Sequence, residues 1–416
     1  MFKPPITNPV VMSALPFEQC LAKTYIANGV SLCGRYVEEH CKIAGKVAEA
    51  IVSIYPQAIR EEFFPMGSGL IAATHDIGKV SPTFQEKIRR GVDGYKHNSL
   101  PELSKVSDPD DENKKWGGHA YVSKATLEKI NDYVAKIAGM HHGSLFPVHY
   151  VDVHESFGGK SWNNERLKLF STLRDYFSVE LPNVENGLYA GVLAGLTTAS
   201  DWIASSKPFD DPEQEWEKLV EPTVAKAGFV NPIYRKGLKF ADIFPFLPKD
   251  IQTKLFDVCK SDGVYVLEAP MGLGKTEAAL YAAYKMVSSG KATGIYFGLP
   301  TRLTSDKIYS RVNEFLEKIL SDDSPHKNSL LLHSSARTSI MGAEAAPGST
   351  WFNSSKRGII APFAVGTLDQ ALMSVINVKH NFVRTFGLLG KVVILDEVHT
   401  YDSYTGTIGS ATFFWT

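Results

Sequence analysis

The chain has 416 residues, too many for one ordinary hydrophobic core, so two to three domains are expected. Its 44% hydrophobic and 21% charged residues are those of a globular protein, and a formal net charge of −1 means that any nucleic-acid surface must be a local stripe. Four cysteines without C-x-x-C spacing (Cys20, Cys33, Cys41, Cys259), no charged-then-apolar leader after Met1 and no apolar run of about 18 residues lead us to expect a reduced, cytoplasmic protein with no membrane partner.

The first half reads as helix. Glu38 to Ile54 has helical apolar spacing and is stopped by Pro56. Tyr121 to Ala138 predicts a second helix ending at Gly139, and Val184 to Ala204 a third. No strand-like alternation stands out in this half. Lys207 to Pro248 combines an acidic run with six prolines and reads as a linker with short helices. From Ile251 the pattern changes to strand, loop, helix, strand. Strands are expected at Gly263–Glu268, Gly294–Leu299 and Lys391–Leu395, with a helix over Thr276–Val287. Alternating β and α units imply a parallel sheet covered by helices. The fold class is therefore multidomain: an all-α domain over 1–228, then a linker and an α/β domain over 229–416.

Seven residues of the helical half have metal-ligand chemistry: His40, His75, Asp76, His119, His141, His142 and Asp201. Imidazole and carboxylate together suit divalent Mn, Fe, Co, Ni, Zn or Mg. Adjacent side chains on a helix diverge by about 100°, so His75 and Asp76 can reach neighbouring ions, with Asp76 bridging them. His141 and His142 follow a predicted helix end, where a loop lets both rings turn inward. Two ions suit phosphodiester cleavage, in which attacking and leaving oxygens both carry developing charge. Lys79, one turn beyond His75, is placed to contact a phosphate oxygen. His97, His149 and His154 read as surface or loop residues.

The order of these residues resembles the HD hydrolase superfamily over about residues 30 to 205. The resemblance implies that His40, His75, Asp76 and Asp201 hold a first ion. It implies that His119, His141 and His142 hold a second, with Asp76 shared.

Ala269 to Thr276 fits the phosphate loop G-x-x-x-x-G-K-[ST] except at Ala269, where glycine is usual. Gly272 and Gly274 let backbone N–H groups turn toward phosphate, Lys275 neutralises it and Thr276 can hold Mg²⁺. An apolar run, Val392 to Leu395, delivers Asp396 toward that Mg²⁺ and Glu397 toward an attacking water. Asp396-Glu397-Val398-His399 resembles the DEAD/DEAH-box group of superfamily 2 helicases. Leu299-Pro300-Thr301-Arg302 and Val365-Gly366-Thr367-Leu368-Asp369-Gln370 resemble its nucleic-acid motifs. Gln252 is a candidate adenine reader on the same resemblance.

An HD domain ahead of a DEVH-type motor resembles the helicase–nucleases of type I CRISPR–Cas interference, an antiviral defence. The tract Val378-Lys379-His380-Asn381-Phe382-Val383-Arg384 is similar to that family. This resemblance implies a nuclease and a 3′–5′ motor acting on single-stranded DNA displaced in an R-loop. It implies two divalent ions and ATP with Mg as cofactors. The implied partners are a Cascade-type guide-RNA surveillance complex and inhibitor proteins. A motor of this type needs a second RecA-like lobe, and the chain reads as truncated after the DEVH motif, with Ser410-Ala411-Thr412 too close to Asp396 to open that lobe. Nuclease activity without unwinding is expected. Two other readings remain open: an HD nucleotide phosphohydrolase with a regulatory ATP site, and a non-catalytic assembly scaffold.

Overall fold

A computed structural model describes residues 13–143, 157–184, 186–332, 348–354 and 356–398. The chain divides into two compact units, Met1–Val52 with Phe63–Thr223, and Ser53–Glu62 with Val224–Thr416.

The first unit is helical, with one small ribbon. Helix Val37–Ser53 buries Val37, Ile43, Val47 and Ile51 along one face, as its apolar spacing requires. Helix Gly187–Ala204 begins where the Asn186 side chain accepts the Tyr189 N–H at 3.0 Å. The single helix expected over Tyr121–Ala138 is in fact two, His119–Leu127 and Asp132–Met140. The break falls at Asn131, whose side chain accepts the Val134 N–H at 3.0 Å and so starts the second helix. Helix Gly159–Phe177, which periodicity did not single out, completes the packing. The ribbon pairs β1 (Thr24–Ala27) with β2 (Val30–Cys33) through Asn28-Gly29, both at positive φ as a tight hairpin turn needs.

The second unit is built on a four-stranded parallel sheet of β3 (Gly294–Leu299), β4 (Leu330–Leu332), β5 (Phe363–Thr367) and β6 (Lys391–Leu395), in the order β4-β5-β3-β6. β3 and β5 are buried throughout, so they read as continuous apolar runs rather than alternation. Helices Lys275–Ser288 and Arg302–Ile319 contribute Leu280, Tyr284, Val312 and Phe315 to the core, which meet Phe297, Val365 and Ile394 of the sheet.

Two expectations are corrected. Gly263–Glu268 is not a strand of this sheet. Tyr265 donates its hydroxyl to the Ser261 carbonyl at 2.7 Å and Leu267 packs against the small cluster that includes Phe256 and Cys259, leaving Val264 and Val266 61% and 78% exposed. Lys207–Pro248 has the short helices expected of it, Val220–Lys226 and Phe240–Ile243 among them, but as a linker it is tied down on both sides. Buried Arg35 donates to the carbonyls of Phe209, Asp211 and Gln214 at 2.9, 2.6 and 2.8 Å, which fixes its first part in the first unit. The Arg235 N–H donates to the Ile319 carbonyl at 2.8 Å, which fixes a later part in the second. Among the described residues no helix is long and apolar enough to cross a membrane.

Candidate metal centre and nucleotide loop

His75 and Asp76 sit on a 3-10 turn, Thr74–Lys79, that continues helix Ser68–Ala73. Gly78 lets that turn lie against the start of helix His119–Leu127. The Gly78 N–H donates to Ser123 Oγ at 2.8 Å, and Ser123 Oγ donates to the His119 carbonyl at 3.1 Å. Ser123 was not singled out from the sequence, since no spacing marks a hydroxyl as a brace. His40 comes from helix Val37–Ser53, Asp201 from helix Gly187–Ala204, and His141 and His142 follow helix Asp132–Met140.

These elements bring all seven expected residues into two adjoining groups. His40, His75, Asp76 and Asp201 form one, and His119, His141 and His142 the other, with the ligand atoms of each group lying within 4.8 Å of one another. Asp76 stands between them and divides its oxygens. Its Oδ2 lies 3.0 Å from His40 Nε2 and 3.1 Å from His75 Nε2, while its Oδ1 lies 3.3 Å from His119 Nε2 and 3.4 Å from His141 Nε2. Asp201 Oδ1 lies 3.6 Å from His40 Nε2 and 3.4 Å from His75 Nε2, and it accepts the Ser205 hydroxyl at 3.0 Å. His142 Nε2 reaches His119 Nε2 at 2.9 Å. Lys79 Nζ donates to Asp76 Oδ2 at 2.6 Å.

The backbone orients two of the rings. His75 Nδ1 lies 2.8 Å from the Ala72 carbonyl and His141 Nδ1 2.6 Å from the Ala138 carbonyl, so each Nδ1–H is spent and each Nε2 is turned inward. His75 Nε2, His141 Nε2 and Asp76 Oδ1 are buried without a well-aligned hydrogen bond. Burying such atoms is costly unless something coordinates them. The donor set fits divalent cations on that observation.

Charge is unevenly placed across the centre. Burial disfavours a charged His75, but Asp76 and Asp201 outweigh it and raise the imidazole to about 10. Burial also opposes a charged Asp76, yet His75, Lys79 and His119 hold the carboxyl well below its ordinary value. Burial lowers His119 to about 4, against the pull of Asp76, and burial with the charge of His141 lowers His142 to about 3. His119 and His142 are therefore neutral near pH 7.

In the second unit Gly272 and Gly274 have φ of 76° and 77°, and Lys275 opens helix Lys275–Ser288. Lys275 Nζ donates to the Ala269 carbonyl at 2.8 Å. The Thr276 hydroxyl donates to Asp396 Oδ2 at 3.2 Å, and Asp396 Oδ1 accepts the Glu397 N–H at 2.9 Å. Glu397 is exposed, with φ of 57°. Gln252, the candidate adenine reader, lies against the nucleotide loop. It is 1% exposed, its Oε1 accepts the Lys249 N–H at 2.8 Å and its Nε2 donates to the Gly274 carbonyl at 2.8 Å, so both ends of the amide brace the loop from within. Parallel pairing sets Leu299 beside Thr367 and Gly298 beside Leu395. The segments carrying Thr301, Asp369 and Asp396 thus leave one carboxyl edge of the sheet, the usual place for a ligand in an open α/β fold. His97 is exposed, while His149, His154, His399 and Ser410 to Thr412 lie outside the described residues.

The model of the Cas3 HD domain matches residues 40–209, and that of the DEAD/DEAH box helicase matches residues 249–408. The chain is 31% identical over 399 residues to the CRISPR-associated endonuclease/helicase Cas3 of Thermus thermophilus, covering 83% of this chain and 42% of the relative. It resembles the crystal structure of T. fusca Cas3 with ATP at a TM-score of 0.77 and 26% identity, over 96% of this chain and 49% of that one. It also resembles a chain of a CRISPR RNA-guided surveillance complex in a pre-nicking state at a TM-score of 0.61 and 25% identity, over 95% and 45% of the two chains. The chain spans less than half the length of these relatives. Its two matched domains, in this order and with these neighbours, place the chain in the Cas3 family of CRISPR-associated nuclease–helicases.

Proposed function

We propose that the first unit is a metal-dependent nuclease for single-stranded DNA and that the second is the first lobe of an ATP-dependent 3′–5′ helicase motor, working together in type I CRISPR interference against invading DNA. The carrying observation is Asp76, whose two oxygens face two separate groups of histidines. Mn, Fe, Co, Ni or Mg ions held there would supply positive charge opposite the attacking and leaving oxygens and acidify a water.

The residues of the chain then have distinct tasks. His40, His75, Asp76 and Asp201 hold the first ion, and His119, His141 and His142 the second, with Asp76 shared. The Ala72 and Ala138 carbonyls aim His75 and His141. Lys79 neutralises Asp76 and stands ready for a phosphate oxygen. In the motor lobe, Gly272, Gly274, Lys275 and Thr276 bind the nucleotide phosphates, Asp396 orders Mg²⁺ through Thr276, and Glu397 orients water. Gln252 holds the loop in shape. The likeness to a chain in a surveillance complex supports recruitment by a Cascade-type assembly on an R-loop, and inhibitor proteins are natural antagonists of such a step.

Incubation with circular single-stranded DNA across Mg, Mn, Fe, Co and Ni tests this reading. Metal-dependent linearisation that vanishes in Asp76→Ala is expected. Phosphate release from small nucleotides with no cutting of DNA would point to a nucleotide phosphohydrolase instead.

A further inference from the structure

Lys23 and Asp210 both fall outside the stretch 40–209 matched by the HD-domain model, yet the fold ties the segment before Lys23 to the turn that carries Lys79. A single buried amide makes the connection. Gln85 Oε1 accepts the Leu21 N–H at 2.9 Å, and Gln85 Nε2 donates to both the Leu21 and the Lys79 carbonyls at 2.9 Å. The segment carrying Lys23 is thereby stitched to the backbone of Lys79. Burial, and then the charges of Lys79 and Arg35, push the Lys23 ammonium below its ordinary value, while Asp210 pulls it back.

Lys23 Nζ donates to Asp210 Oδ1 at 2.7 Å, with the two side chains 16% and 38% exposed. The turn carrying Asp210 does not need this bond to keep its place. Arg35 already holds the carbonyls of Phe209, Asp211 and Gln214 on either side. The pair thus joins a cation on the segment tied to Lys79 to a water-accessible carboxylate on an independently fixed turn. Lys79 is held by a carboxylate only 2% exposed, whereas Lys23 is held by one 38% exposed, from which a phosphate can draw it more readily. An ammonium on a flexible stem exchanges a carboxylate for a phosphate without a fixed geometry.

Resting on the nuclease reading, we propose that Lys23 is a second cationic contact for the phosphate backbone of the bound strand, beside Lys79, and that Asp210 occupies it until a strand arrives. Lys23 is a positioning residue for the strand.

The test uses the metal-loaded full chain and a fluorescein-labelled oligo-dT, with binding followed over a range of salt concentrations. Lys23→Ala should weaken binding about 3- to 10-fold and flatten the slope of log K against log salt by about 0.7, the loss of one single-strand phosphate contact. In cutting assays its KM should rise several-fold more than its kcat falls. Lys23→Arg should restore the salt slope, and Asp210→Asn should bind as well as the parent or more tightly. Parent-like binding and slope in Lys23→Ala would overturn the proposal. So would an equal loss in Asp210→Asn, or loss of the cooperative melting transition in Lys23→Ala, since either makes the pair a structural latch. Bound metal is measured in every sample. A parent protein that holds its ions but cuts no DNA defeats the nuclease reading, whereas an active parent matched by Lys23→Ala defeats this inference alone.

Discussion

Gly78 lies so close to His119 that a Cβ built on it would stand 2.0 Å from the His119 carbonyl oxygen. Two parts of the candidate centre meet at that contact, the 3-10 turn with Asp76 and the helix that begins at His119. Gly78→Ala is expected to push them apart at a cost of about 1–3 kcal/mol, the usual penalty for overpacking. Thermal unfolding should show the loss, and metal analysis should show weaker loading at the His119 group.

Asp76 and Asp201 should differ in what their removal releases. Asp76 serves both groups, whereas among the described residues Asp201 pairs with His40 and His75 of the first. Asp76→Ala should lose both ions, and Asp201→Ala should keep about one, bound by the His119 group. Equilibrium dialysis with elemental analysis distinguishes these stoichiometries, and equal losses in the two variants would refute a shared Asp76.

Metal binding should release a proton from His75 and none from His119 or His142. His75 is raised to about 10, so in the metal-free protein it is an imidazolium below that pH, and a cation must displace its proton. His119 and His142, lowered to about 4 and about 3, are already neutral at pH 7. Affinity at the His75 group should therefore climb with pH up to about 10, while His119 and His142 should add no pH dependence above about pH 5. Calorimetry at pH 7 in buffers of different ionisation enthalpy should find about one proton released for the first group. No proton release at either group would contradict the assignment.

The nucleotide loop offers a separate experiment. Lys275→Ala removes the cation expected at the phosphates and should abolish measurable ATP binding. Gln252→Ala removes the brace on Gly274 and should weaken ATP binding by about tenfold through a looser loop, the worth of one or two buried hydrogen bonds. Fluorescent nucleotide titration measures both effects. An unchanged affinity in Gln252→Ala would mean that the loop holds its shape without the brace.

Much of this protein was legible as linear pattern. The 3.6-residue spacing of helix Val37–Ser53, the unbroken apolar run of β3 and the glycines before Lys275 are local properties, because side-chain direction and loop conformation follow from neighbours in the chain. The ribbon at Asn28-Gly29 is missed by a helical reading of the first half, although its turn is just as local. His75-Asp76 announced cation chemistry by residue type alone. Other features were decided only by folding. Val264 and Val266 alternate like a strand, but whether a strand joins a sheet depends on an edge contributed from elsewhere in the chain. Gln252 turned inward because its two ends met the backbones of Lys249 and Gly274, 3 and 22 residues away. The division of Asp76's oxygens between two sets of histidines is likewise a tertiary fact. It needs three helices and a 3-10 turn to converge, and contacts between residues this far apart depend on packing that no local spacing encodes.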